Sequence, residues 1–211
     1  MAGKLSDVEW VVKDIAQTIL DNETYFGELD AVVGDGDFGF SLARGFEIVL
    51  AEWDTFDRTD PGVFLQKVAM TVSARIGGTS GPIWGTALLR AGAQLKGKEE
   101  FSGADLVRAL RASVDGIKAR GGASLGEKTL LDALVPAIDT LEAELATGHD
   151  PQAIIKAVAA TADEAAESTK SMQAMRGRAS YTGERSVGSV DAGAKAIAVL
   201  AQHLADNWPD A

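Results

Sequence analysis

Cysteine is absent from the chain. That excludes disulfides and thiolate metal ligation, and it fits a cytoplasmic location. Basic residues are outnumbered, with 20 lysines and arginines against 31 aspartates and glutamates and a formal net charge of -11. A duplex-binding module presents a basic surface, so nucleic acid is a poor partner, and an anionic membrane surface is disfavoured for the same reason. No apolar run reaches transmembrane length, and residues 1–14 are already amphipathic and charged, without a signal-peptide core. The only histidines, His149 and His203, do not form a metal pair, and neither has the context of a phosphohistidine. Strand signals are nearly missing too. Leu29 to Val33 is the one candidate strand, and it has no partner.

What remains reads as helix after helix. Ser6-Asp7-Val8-Glu9 has the form of a capping box, and Val8, Val12, Ile15 and Ile19 continue it as an apolar stripe. A stretch from about Thr24 leads to residue 30. Leu42, Phe46, Val49 and Leu50 give the next helix its buried face. Asp60-Pro61 and Ser80-Gly81-Pro82 are start signals, the second followed by Trp84, Leu88 and Leu89. Ser102 opens a helix with Leu106, Leu110 and Ile117 on one face. Another runs from about Lys128 to Ala146, kinked near Pro136 and ended by Gly148. Asp150-Pro151 starts a long helix through about Met175, and Asp191 starts the last. The expectation is an all-α bundle of roughly eight helices in a single domain, residues 1–211. The 23 glycines cluster between helices and at helix starts, as tight turns do and as a shared ligand site does.

The densest chemical signal is the run Leu29-Asp30-Ala31-Val32-Val33-Gly34-Asp35-Gly36-Asp37-Phe38-Gly39. Carboxylates this close repel one another unless a cation neutralises them. The interleaved glycines let the backbone turn sharply enough to aim them at one point. Gly34 to Gly39 matches G-x-G-x-x-G in letters, but no βαβ context surrounds it, and aspartates in a pyrophosphate loop would repel phosphate. An EF-hand fails as well, because the glycine its sixth position needs is Phe40 here. Two readings stay open for Asp30, Asp35 and Asp37: a site for hard, oxygen-loving cations such as magnesium, or a solvated acidic turn.

The run Met175 to Ser186 places arginines in a glycine-punctuated loop before the final helix. Guanidinium forks suit phosphoryl oxygens, and surface salt bridges are the other use of such residues. Asp191-Ala192-Gly193 is a helix start that either faces a ligand or simply caps.

Taken in order along nearly the whole chain, these runs resemble the L subunit of bacterial dihydroxyacetone kinase. The resemblance is carried by Leu29 to Gly39, Gly78-Thr79-Ser80-Gly81-Pro82-Ile83-Trp84-Gly85-Thr86, Gly126 to Leu134, Gly177 to Ser186, and Asp191-Ala192-Gly193-Ala194. It implies an eight-helix antiparallel barrel with a nucleotide at one end, and ADP or ATP with a pair of magnesium ions as cofactors. It places the metals on Asp30, Asp35 and Asp37. It places nucleotide contacts at Phe38, Gly39, Phe40, Ser41, Thr79, Ser80, Gly121, Leu130, Arg178, Asp191, Ala192 and Gly193, with Arg178 clamping a phosphate as the catalytic residue. The implied partner is a K subunit carrying a triose on its own histidine. A phosphotransferase-system M subunit is a second partner in one branch, free ATP is the donor in another, and a homodimer is an option. Kinases of another small sugar and coregulators of transcription factors are the alternatives within this resemblance. Two positions depart from the family pattern: Phe38 stands where histidine is frequent, and Ala192 where proline is common.

Overall fold

The structure is a computed structural model describing residues 2–209. Among the described residues it contains nine α-helices: α1 (Leu5–Asp21), α2 (Glu23–Ala31), α3 (Phe38–Ala51), α4 (Pro61–Arg75), α5 (Ser80–Leu95), α6 (Gly103–Gly121), α7 (Leu131–Thr147), α8 (Pro151–Ser168) and α9 (Ala192–Asn207). Shorter 3-10 segments occupy Trp53–Thr55, Thr169–Ser171 and Arg178–Ser186. The only sheet among the described residues is a two-residue antiparallel pair, β1 (Gly3–Lys4) with β2 (Glu100–Phe101), Gly3 opposite Phe101. The all-α class read from the sequence is therefore what the chain adopts. The helix beyond the eight expected is α2, whose short length gives it little periodicity to read. The chain forms two compact units, one of Met1–Asp21 with Phe40–Gly122, the other of Asn22–Gly39 with Ala123–Ala211.

In the first unit α4 packs on α5 and α5 on α6. Asp60 caps α4 by accepting the Val63 N–H at 2.8 Å, and Pro61 follows at the first helical position as its fixed φ favours. The α4–α5 contact is made by backbone. A Cβ at Gly92 would stand 2.8 Å from the Gly62 carbonyl oxygen, so only glycine permits this approach. The same approach decides which face of α5 is buried. Gly81, Gly85, Ala91, Gly92 and Leu95 are buried, whereas Leu89 is exposed, because small residues rather than large ones set the spacing. The box expected at Ser6 is also displaced: α1 starts at Leu5, and Asp7 accepts the Lys4 N–H at 2.8 Å. A true capping box lies at α6, where Ser102 and Asp105 exchange side-chain and backbone bonds.

In the second unit α7, α8 and α9 share an alanine-rich core of Ala133, Ala137, Ile154, Val158, Ala162, Ala166, Ala194 and Ala198. Small side chains bring the helix axes close and bury area at little entropic cost. Pro136 lies inside α7, and Gly148 ends that helix in the left-handed conformation, φ 75°. α8 stops at Ser168 rather than near Met175. The buried Thr169 hydroxyl donates to the Ala166 carbonyl at 2.6 Å and accepts the Asp191 N–H at 2.9 Å, competing with the helix ladder and tying its end to the start of α9. The candidate strand Leu29–Val33 is not one. Leu29 to Ala31 is the last turn of α2, and Val33 and Gly34 both donate to the Asp30 carbonyl, at 3.2 and 2.6 Å. With no neighbouring strand to pair with, the valines turn, and Val32 is left exposed.

Candidate functional site

The aspartate loop lies wholly in the second unit and is built by glycine packing. A Cβ at Gly39 would overlap the Glu23 carbonyl oxygen and stand 2.6 Å from the Gly27 nitrogen, so the start of α3 rests directly on α2. A Cβ at Gly34 would strike the Asp30 carboxylate. Gly36 takes φ +77°, a conformation that costs other residues strain, and its N–H reaches back to Asp30 Oδ2 at 2.9 Å. The outcome is convergence: one carboxylate oxygen from each of Asp30, Asp35 and Asp37 lies within 4.8 Å of the others.

The electrostatics of the trio are those of a site short of positive charge. Burial pushes the Asp30 carboxyl above its ordinary value, and the charges of Asp35 and Asp37 push the same way, against the Gly36 and Phe38 amides. Arg178 supplies what compensation there is. Its guanidinium is ion-paired with Asp35 and with Asp37, the latter at 2.8 Å. Desolvation acts to raise the Asp35 carboxyl, but the Arg178 hydrogen bond and charge outweigh it and hold the group below the usual carboxylate range. An all-oxygen, half-exposed donor set of this kind suits a hard divalent cation such as magnesium, which keeps part of its water shell. The residues thus fit the metal that the resemblance implies.

Around the trio, Phe38 packs its ring on buried Phe26, centroids 6.2 Å apart, so this phenylalanine serves the fold. Leu130, just before α7, lies against Gly193 in the first turn of α9, where a Cβ would stand 3.2 Å from the Leu130 Cβ. Asp191 caps α9, accepting the Ala194 N–H at 2.8 Å. Its carboxyl is enclosed by protein, and that burial, with Asp132 nearby, pushes it up to about 6 against the pull of Ala194 and Lys128. Phe38, Gly39, Phe40 and Ser41 form the first turn of α3. Thr79 and Ser80 sit at the start of α5, where Thr79 makes no side-chain cap, and Gly121 is the exposed last residue of α6. From Phe40 on, these last positions belong to the first unit.

Sequence reasoning missed the residues that hold this region together. Asp132, buried in the first turn of α7, accepts the N–H groups of Gly126 at 2.5 Å and Thr129 at 2.7 Å. Glu127 pairs bidentately with Arg176, at 2.7 and 2.9 Å. Lys128 is buried and left-handed, φ 60°. A cation three residues before the start of α7 opposes the helix dipole, and that anomaly is the available signal. An open cleft of about 420 Å³ in the same unit is lined by Leu29, Val32, Lys170, Arg185 and Val187 among others, but by none of the three aspartates. The chemistry is therefore read from the carboxylates rather than from the cleft.

Comparison with known proteins converges on one group. The DAK2 domain family model matches residues 32–206. The chain is 34% identical over 200 residues to the PEP-dependent dihydroxyacetone kinase, ADP-binding subunit DhaL, of Escherichia coli (strain K12), covering 94% of each chain. It is 37% identical over 199 residues to an L-erythrulose 1-kinase of Mycolicibacterium smegmatis, covering 93% of this chain and 34% of that protein. The crystal structure of the dihydroxyacetone kinase from C. freundii in complex with AMP-PNP and Mg2+ superposes with a TM-score of 0.75 at 25% identity, over 98% of this chain and 34% of that one.

Proposed function

The chain belongs to the DAK2 domain family, and from that premise we propose that it is the adenine-nucleotide-binding, phosphoryl-transfer subunit of a kinase for dihydroxyacetone or a related ketose. The observation that carries this reading is the convergence of Asp30, Asp35 and Asp37 within 4.8 Å, with Arg178 in contact with two of them. Its relatives along almost their whole length are ADP-binding subunits of dihydroxyacetone kinases. Relatives that act on erythrulose extend the range of acceptors to four-carbon ketoses.

In this reading Asp30, Asp35 and Asp37 hold magnesium, as a pair of ions. Bound there, the metal supplies positive charge to the phosphate oxygens of a loose, in-line transfer. The chain's own groups do the rest. Arg178 offers a planar fork to a phosphoryl oxygen. The amides of Phe38 and Gly39, at the positive end of α3, favour an anion. Leu130 gives an apolar surface for adenine, and Asp191, Ala192 and Gly193 form the helix start beside it. Phe40, Ser41, Thr79, Ser80 and Gly121 are the remaining nucleotide positions that the resemblance implies. Among the described residues no obvious base stands beside the trio apart from its own carboxylates, so in this reading the base comes from the partner. The partner is a K subunit holding the ketose, with an M subunit as phosphoryl donor where ATP is not the donor. A cytoplasmic location and a chain working as one functional domain complete the reading, with a homodimer as an option. No helix among the described residues is long and apolar enough to cross a membrane.

The test is calorimetric titration of the chain with ADP and with ATP, with and without magnesium. Magnesium-dependent uptake that Asp35→Ala abolishes is expected. Uptake indifferent to magnesium, or retained by Asp35→Ala, would overturn the assignment.

A further inference from the structure

Arg178 lies on a segment with little packing of its own. Between the end of the Thr169–Ser171 turn and the start of α9, Met175, Tyr181 and Val187 are all exposed, Tyr181 by 88%. Of its residues only Ala174 and Ser186 are buried, where the Ser186 hydroxyl accepts the Ala174 N–H at 2.8 Å, so polar ties rather than a hydrophobic core fix most of its course. Lys128 reaches it at three points. The buried ammonium donates to the carbonyls of Met172 at 3.2 Å, Ser189 at 2.6 Å, and Ser186. Met172 precedes Arg178 and the other two follow it, so a single cation closes both ends of the segment that carries the arginine. Among the described residues Lys128 makes no ion pair within 4.0 Å; carbonyl dipoles meet its charge at close range, and the Asp191 carboxylate acts on it from farther off. The adjacent residue adds to the grip. The Glu127 carbonyl accepts the Met175 N–H at 3.0 Å, and its carboxylate holds Arg176. Lys128 adopts φ 60°, a conformation that a side chain takes at a cost, and here it allows consecutive residues to grip the same segment.

We infer that Lys128 is a positioning residue: its ammonium clamps the two ends of the 172–189 segment and thereby presents the Arg178 guanidinium to Asp35 and Asp37. The inference rests on the proposed nucleotide site for its functional meaning, but the clamp itself can be measured without any ligand. The informative variant is Lys128→Gly, which accepts the left-handed backbone without strain and removes only the ammonium and its stem. Amide hydrogen exchange on the free protein, followed segment by segment, is the first readout. Exchange across residues 173–189 should accelerate by about tenfold or more, as expected when charge-assisted bonds to carbonyls are lost. Protection in α7, α8 and α9 should be unchanged. The second readout is a double-mutant cycle with Arg178→Ala on magnesium-ADP affinity. If the lysine acts through the arginine, Lys128→Gly weakens binding alone and adds little once Arg178 is gone. Unchanged exchange in Lys128→Gly overturns the clamp. Accelerated exchange with fully additive losses overturns the link to Arg178. Should the wild-type protein take up no magnesium-ADP, the nucleotide reading fails, and the exchange result alone decides the clamp. Should Lys128→Gly lose protection in all three helices, Lys128→Met, which keeps the buried stem, replaces it under the same criteria.

Discussion

Arg178 sits against Asp37 at 2.8 Å while also pairing with Asp35, so one guanidinium occupies the charge-neutralising position among three carboxylates. A divalent ion entering the trio competes with it. Removing the arginine should then have opposite effects on two ligands. In Arg178→Ala, magnesium alone should bind about two- to fivefold tighter. The gain is small because the pair is about half exposed, and solvent screens an exposed ion pair strongly. Magnesium-ADP should bind about tenfold or more weakly, since a charge-assisted contact to phosphate is lost. Isothermal titrations with metal alone and with metal plus nucleotide separate the two effects. A weakening of both would mean that the arginine supports the trio instead of competing for it.

Gly39 and Gly126 are both glycines of the site region, and the structure separates their roles. At Gly39 an added Cβ meets backbone, the Glu23 carbonyl and the Gly27 nitrogen, which cannot move aside without parting α2 from the start of α3. Gly39→Ala should cost about 2–3 kcal/mol, the upper part of the roughly 1–3 kcal/mol range of overpacked interiors, because the contact is with backbone. Gly126 has φ +84° and open space around it, so Gly126→Ala should cost only the strain of the left-handed backbone, about 1 kcal/mol. Urea unfolding of the two variants measures the difference. Equal losses would show that the α2–α3 contact is looser than its geometry implies.

Much of this arrangement is legible in the sequence, and the exceptions have physical causes. Caps carry side-chain chemistry that local spacing reports, so Asp60, Ser102, Asp150 and Asp191 start helices as read. The aspartate trio is close in sequence, and its convergence within 4.8 Å needs only the glycines between its members. What spacing does not report is contact between distant segments. Arg178 meets Asp35 across 143 residues, and Lys128 meets Ser189 across 61. The buried face of α5 differs from the one its large residues mark, because its contacts run through Gly81, Gly85 and Gly92, and a hydrophobic stripe marks side chains rather than exposed backbone. Val32 and Val33 suggest a strand because β-branching favours one, but among the described residues the only strands, β1 and β2, pair with each other and none is left to receive their hydrogen bonds. Ser80 is a weaker start signal than its neighbours imply, since α5 begins at that residue with Thr79 before it and no side-chain cap.

Asp191 makes the stability of the second unit depend on pH. Its carboxyl is raised to about 6 by burial, with the Asp132 charge acting in the same direction. The folded chain therefore holds this proton more tightly than the unfolded chain, whose aspartate titrates near 3.8. Between those two values the folded state binds more protons, so this group's contribution to stability is greatest at about pH 4, falls as pH rises to about 6, and is constant above. The loss amounts to about 2–3 kcal/mol, since each tenfold change in proton affinity is worth roughly 1.4 kcal/mol. Other carboxylates act in the opposite sense at lower pH. Asp35, Glu127 and Glu167 are held low by arginine or lysine partners, so wild-type stability alone will not isolate the effect. The difference from Asp191→Asn does, because asparagine keeps an oxygen to accept the Ala194 N–H and no longer titrates. In metal-free buffer, wild type minus variant should decline between pH 4 and pH 6 and run level beyond it. A difference that stays level throughout would mean that the Asp191 carboxyl is better solvated than its enclosure indicates.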